Sequence, residues 1–257
     1  MSPLPLFQNP FDGQKFFPVK FGYEIEGGFT SDFSESTTNE ETGERERNNQ
    51  YWRHDGSVSS EDYMAGEIAS PVFRVDRMNQ FQKFVKKNLP SQVDSSAGLH
   101  CHVSVNSKYA YARLMDVEFW NAFKTEVWKF FKESYIDETI SEETYEEFTN
   151  RFRGKSRYCK PVFAPNSQVD NVWYRLENNE DGRYTQLNYP FGQHGTIECR
   201  LFPATTNANE IINIISWFIT FIASYLGKIP AYERDNSSDI DIDVTSEQIK
   251  ETVEICV

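Results

Sequence analysis

Three short segments carry side chains fit for chemistry at alternate positions: Glu24 and Glu26 in GYEIEGG, His100 and His102 in GLHCHVSVN, and Glu198 and Arg200 in TIECRLF. In an extended strand successive side chains point to opposite faces. Each segment therefore presents a reactive pair on one face and an apolar set on the other: Ile25 in the first, Leu99, Cys101, Val103 and Val105 in the second, Ile197, Cys199 and Leu201 in the third. The two members of a pair stand roughly 7 Å apart along the strand. An isolated His-x-His pair is commonly no more than a solvated face. A solvated face, however, would carry Lys, Thr, Gln and Ser as often as Glu and His, and here three strands share the same habit.

Gathered on one sheet surface, these pairs supply three carboxylates, two imidazoles and a guanidinium. Clustered carboxylates repel unless a cation lies between them. Mg²⁺ and Mn²⁺ prefer oxygen ligands, and Mn²⁺ tolerates an imidazole. Zinc fits less well, because Cys101 and Cys199 fall on the buried faces of their strands. An arginine beside such metals suits a phosphate whose charge grows during transfer. The combination points to metal-assisted phosphoryl chemistry. Glu67 in GEIASP and Asp55 in HDGS offer a fourth and a fifth carboxylate; alone, each reads as a surface or turn residue.

The elements that must position these groups follow from periodicity. Residues 19–29 alternate and end at a Gly-Gly pair, and 66–73 read as a strand broken by Pro71. Segments 183–190 and 195–207 return to strand alternation. Residues 76–89 place Met78, Phe81, Phe84, Val85 and Leu89 at helical spacing, with Asp76 as the expected cap. The region 109–152 is read as a helical insertion whose aromatic stripe, including Phe119, Trp120, Phe123, Val127, Phe130 and Phe131, belongs to the core. Its acidic run DETISEETYEEF is read as a solvated helix face. The apolar segment 211–226 is too short to span a bilayer and is expected to be a buried helix. Polar residues 30–50 read as a mobile loop or lid, and 231–257 as an acidic tail. The pattern predicts an α+β fold: one domain over 1–257 with its core at 19–227, built on one largely antiparallel sheet with helices covering its apolar face.

Composition sets the outer limits. The chain has 257 residues, 39% of them hydrophobic, enough for a sizeable core. Its 39 acidic and 26 basic residues leave a formal charge of -13, which disfavours nucleic acid and anionic membranes as partners. The four cysteines show no metal-type spacing and read as buried thiols, and the N-terminus carries no secretory signal pattern. A reducing, cytoplasmic setting is expected.

The ordered set FGYEIEGG, DGSVSS, GEIASPVF, GLHCHVSVN, RYTQLNY and GTIECRLFPATTN resembles the amidoligase family, which is similar to glutamine synthetase and glutamate-cysteine ligase. The resemblance covers residues 19–225. It implies a curved, largely antiparallel, glutamine synthetase-like catalytic sheet with helices on its convex face and ATP and Mg²⁺ or Mn²⁺ held in its concave face. It further implies transfer of the γ-phosphate to a small-molecule or peptide carboxylate, followed by attack of an amine to form an amide. By position, Glu24, His100 and Glu198 resemble ligands of the metal on the nucleotide phosphates, and Glu26 and Glu67 those of the metal nearer the acceptor. Arg200 and Arg183 resemble arginines that stabilise the transferred phosphoryl group. His102 would face the nucleotide, with Asn188 and Asp55 lining the pocket. Asp32 or Glu35 is a candidate base. The chain is much shorter than glutamine synthetase, so the resemblance does not by itself imply the ring assembly in which neighbouring subunits complete each site, although an oligomer is compatible with it. The rival classes are a phosphotransferase or hydrolase on the same scaffold and a non-catalytic nucleotide- or peptide-binding descendant.

Overall fold

The computed structural model describes residues 18–38, 45–47, 49–60, 62–106, 108–156, 159–161, 185–190 and 195–228. Arg183, Cys256 and the acidic tail 231–257 lie outside the described residues. The long alternating segment forms β1 (Pro18–Phe29), which pairs with β5 (Met64–Ala69) and β6 (Phe73–Arg74) on one side and β7 (Gly98–Val105) on the other. With β4 (Trp52–His54), β8 (Leu187–Asn188) and β9 (Ile197–Pro203), they make a seven-stranded sheet in the order β4-β5-β1-β7-β9-β8, with β6 paired to β1 off this path. Every described pairing in it is antiparallel.

Alternation decides what each face of this sheet holds. Phe21, Tyr23 and Ile25 of β1, Leu99, Cys101 and Val103 of β7, and Ile197 and Cys199 of β9 are all buried in one hydrophobic core. That core is closed by α1 (Met78–Lys87), α3 (Val117–Ile136), α4 (Glu142–Phe152) and α5 (Ala208–Gly227), with the short α2 (Lys108–Arg113) beside β7. Aromatic contacts mark the seam: Tyr23 meets Phe81 of α1 edge-on, and Phe202 meets Phe131 of α3 and Phe218 of α5. Phe131 and Phe148 stack in parallel with ring centroids 3.8 Å apart. The helices therefore lie on the apolar face and leave the reactive pairs on the other. Helix α5 is the one described helix long and apolar enough to cross a membrane, and most of it is buried against the sheet and α1. The expectation of a buried core helix holds, but not the expectation that it is too short to span a bilayer: the helix begins before and ends after the apolar segment and runs 20 residues.

Several local expectations change. Asp76 does not cap α1; it takes a bidentate hydrogen bond from Arg74, and the helix is entered through a 3-10 turn at Val75–Arg77. The region 109–152 is three helices. Its acidic run straddles the break between α3 and α4, where Glu138 turns the chain with φ 56° and the Ser141 hydroxyl accepts from Thr144 N to cap α4. The polar stretch 30–50 includes a 3-10 turn at Ser31–Phe33 and a ribbon of β2 (Ser36–Thr38) with β3 (Arg45–Arg47). Strand β8 is only two residues long, with Lys160 and Thr185 forming an isolated bridge before it.

Glu210 ties the helical layer together from the first turn of α5. Its buried carboxylate accepts hydrogen bonds from Ser141 N (3.0 Å), Thr144 Oγ1 (2.7 Å), Thr205 Oγ1 (2.7 Å) and Asn207 Nδ2 (3.3 Å). Removing the acceptor strands donors that have lost access to water, each at about 1–3 kcal/mol when buried. Glu210→Ala is expected to lower the unfolding free energy by about 2–4 kcal/mol in urea titrations. A loss below about 0.5 kcal/mol would show that these donors find water instead.

Candidate functional site

Strand register turns the sequence pairs into a surface. Glu24 stands opposite His100, Glu26 opposite Glu67, and His102 opposite Glu198, while Asn188 of β8 lies opposite Glu198 from the other side. The four central strands thereby bring Glu24, Glu26, Glu67, His100, His102 and Glu198 onto the face the helices do not cover. Asp55 joins them from the turn after β4, where its Oδ1 accepts from Ser57 N (2.8 Å) and Ser57 Oγ (2.7 Å). The Asp-Gly turn signal and the carboxylate are thus one device: the turn holds the side chain at the sheet edge.

A β-bulge aims Arg200. Cys101 pairs with Cys199 but Leu99 pairs with Phe202, so Arg200 and Leu201 together oppose His100. Strict alternation would send Phe202 to the polar face; the extra residue returns it to the core, where Leu201 and Phe202 are both fully buried. Arg200 stays on the polar face, and its Nη1 donates to Glu198 Oε1 at 2.6 Å. Its Nε is buried without a hydrogen-bond partner among the described residues.

The ligand atoms fall into two groups, each drawn within 4.8 Å: Glu24, His102 and Glu198, and Glu26, Asp55 and Glu67. His100 lies between them. Its Nδ1 is 3.4 Å from Glu24 Oε2 and 3.9 Å from Glu198 Oε1, and its Nε2 is 3.7 Å from Glu26 Oε1. His102 Nε2 is 3.9 Å from Glu24 Oε2 and 3.8 Å from Glu198 Oε1, so both imidazoles approach the first group. Asn188 Nδ2 donates to Glu198 Oε2 (2.8 Å), which orients that carboxylate, and Gly98 N donates to Glu26 Oε2 (2.7 Å). A Cβ on Gly98 would come within 2.8 Å of His100 Nε2 and 3.2 Å of Glu26 Oε2, so the close approach requires glycine. Asp32 and Glu35 sit exposed on the turn after β1, outside both groups.

The two groups differ in charge balance. Burial pushes the Glu24 carboxyl up, but hydrogen bonds with His100 and His102 outweigh it and hold Glu24 well below the usual carboxylate range. Glu198 is likewise held low despite burial, mainly by Arg200 and the two imidazoles. Desolvation would lower His102, yet Glu24 and Glu198 raise it. The first group is therefore internally compensated. Glu67 is not: burial, with the negative charges of Glu24, Asp55 and Glu26, pushes it up to about 7, and Arg53, 3.9 Å away at the rim, offsets this only partly. Three crowded carboxylates with oxygen ligands and little compensation are the donor set that suits a hard divalent cation.

Residues 28–222 match the family model described as "Putative amidoligase enzyme". The chain belongs to the amidoligase family. No curated protein matches it. The amidoligase match takes in every described member of both acidic groups except Glu24 and Glu26, which lie just ahead of it on β1. Two residues of this amidoligase surface escaped the sequence reading: Gly98, whose N–H holds Glu26, and Arg151 of α4, which packs behind it. Glycine in the His-x-His segment was the available signal for the first. A lone arginine in an amphipathic helix gave none for the second.

The elevated Glu67 pKa makes metal-free stability depend on pH. Below about 4.5 the carboxyl is protonated whether folded or unfolded, and full stability is present. As pH rises toward about 7 the unfolded chain loses its proton first, so stability falls through this window and the loss is complete above it. After allowance for solvent screening the loss is roughly 1–2 kcal/mol. In chelator, urea unfolding from pH 5 to 8 is expected to show this decline in the wild type and a flatter profile in Glu67→Gln; identical profiles would contradict it.

Proposed function

We propose that this protein is an ATP-dependent carboxylate-amine ligase that forms an amide through an acyl phosphate on a glutamine synthetase-like sheet. The observation that carries the reading is the pair of acidic groups on one sheet face, flanked by Arg200, in a chain of the amidoligase family. Glu24, His102 and Glu198, with His100 close by, would hold the Mg²⁺ or Mn²⁺ that accompanies the ATP phosphates; Glu26, Asp55 and Glu67 would hold the one nearer the acceptor. Such cations supply charge neutralisation, allowing an anionic carboxylate to approach a polyanionic phosphate.

The chain's own residues do the rest. Arg200 is anchored to Glu198 through Nη1, and its positive charge would stabilise the charge that grows on the transferred phosphoryl group. Asn188 and Gly98 N keep Glu198 and Glu26 from rotating away, which fixes the distance between the two centres. A carboxylate oxygen of the acceptor attacks the γ-phosphorus and ADP leaves; the amine nitrogen then attacks the acyl carbon, phosphate leaves, and the amine sheds a proton. Asp32 or Glu35, exposed after β1, is the proposed acceptor of that proton. Partners are thus a small-molecule or peptide carboxylate and an amine, in a cytoplasmic setting where ATP is plentiful. Arg183 retains its proposed phosphoryl-stabilising role.

The test is ADP and phosphate release from ATP with Mg²⁺ or Mn²⁺ across carboxylate and amine panels, with mass spectrometry for products lacking one water. Amine-dependent release with a condensed product is expected; release indifferent to amine would assign a phosphotransferase or hydrolase instead. Glu198→Gln and His100→Ala are expected to lower turnover by about 100-fold or more with circular dichroism unchanged. Wild-type turnover in both would remove these residues from the site.

A further inference from the structure

The C-terminal end of α4 reaches the back of the acidic site along two routes. Arg151 is almost fully buried. Its Nε donates to Glu147 Oε1 (3.0 Å), one turn earlier in the helix, and its Nη2 donates to Ala97 O (2.6 Å) and more weakly to Ser95 O (3.4 Å). Ala97 immediately precedes Gly98, whose N–H holds Glu26, and Ser95 lies two residues before Ala97. The space where a Gly98 Cβ would sit is shared by His100 Nε2, Glu26 Oε2 and Arg151 Nη1, the last 3.2 Å from that point. The guanidinium therefore lies beside Gly98, bordering the same space as Glu26 Oε2 and His100 Nε2.

The second route runs through Gln186. Its Nε2 donates to Arg151 O (3.0 Å) and Phe152 O (3.1 Å), and its backbone carbonyl accepts from Arg200 N (2.9 Å) at the bulge. One helix end is thus tied to the backbone that orients Glu26 and to the backbone that carries Arg200. The other end of α4 is fixed by Glu210. A helix serving only as cover for the core would need Phe148 and its apolar neighbours, not a buried cation spending its donors on the carbonyls beside Gly98.

We propose that Arg151 is a positioning residue for the Glu26, Asp55 and Glu67 group, acting through the Ser95–Gly98 backbone to hold Glu26 in its ligating orientation. This rests on the reading of that group as a cation site. Partners behind a metal ligand typically change cation affinity by about 10–100-fold when removed. Lysine at 151 can still reach one carbonyl but cannot keep both the Glu147 and the Ala97 bonds, because the ammonium is a single point rather than a fork.

The experiment is Mn²⁺ titration of the folded protein, read by the loss of the free-ion electron paramagnetic resonance signal, for wild type, Arg151→Lys, Glu26→Gln and the double variant. Wild type is expected to bind Mn²⁺, Arg151→Lys about 10-fold or more weakly, and the double variant no more weakly than Glu26→Gln alone. Unchanged affinity in Arg151→Lys, or an equal further loss when it is added to Glu26→Gln, would overturn the proposal while leaving the cation site standing. A wild type that binds no Mn²⁺ would overturn both. Should Arg151→Lys fail to fold, Gly98→Ala carries the same test, since its methyl group enters the space between Arg151, Glu26 and His100; unchanged affinity there would equally sink the idea.

Discussion

Five carboxylates crowded onto one face of a sheet repel one another, and much of the surrounding structure is a set of local answers to that repulsion. Glu24 and Glu198 are answered by imidazoles and a guanidinium, which keep them ionised despite burial. Glu26 accepts the N–H of Gly98, next to the Ala97 carbonyl that takes a hydrogen bond from Arg151. Glu67, on the strand next to the edge strand β4, is offset only partly by Arg53 and has a raised pKa. The asymmetry matters chemically. One half of the site is largely self-neutralised, whereas in the other half crowding raises the Glu67 pKa, so that protonation relieves it.

The sheet is what makes such crowding tolerable. Pairing fixes which carboxylate faces which imidazole, and the apolar side chains on the reverse face supply the burial that holds the strands in register. A one-residue slip of β1 against β7 would bury Glu24 and Glu26 and expose Tyr23 and Ile25. The hydrophobic layer of α1, α3, α4 and α5 therefore acts on the site indirectly, by making every alternative register costly.

Most of this surface was legible in alternation alone, because side-chain parity in a strand needs no knowledge of the partner strand. Glu-x-Glu, His-x-His and Glu-x-Arg declared their faces, and the buried cysteines between them declared the other. The remainder depended on information a single strand does not hold. Both imidazoles turn out to approach the Glu24 and Glu198 pair, with His100 reaching across to Glu26 as well, which depends on cross-strand register and rotamer. The bulge at Arg200 and Leu201 depends on β7, and Arg151 on where a helix end meets a distant loop. Asp76 was misjudged because a neighbouring arginine outcompeted the helix terminus for it.

The bulge in β9 also says something about how this protein can vary. Residues before it keep one inside-outside rhythm with β7 and residues after it keep the opposite one, so the strand is two half-strands joined out of phase. Exchanging one apolar side chain for another on either half leaves that phase intact. Losing or gaining a single residue does not: it would turn either Glu198 or Phe202 to the wrong side. Along this strand, length is a stricter inheritance than identity.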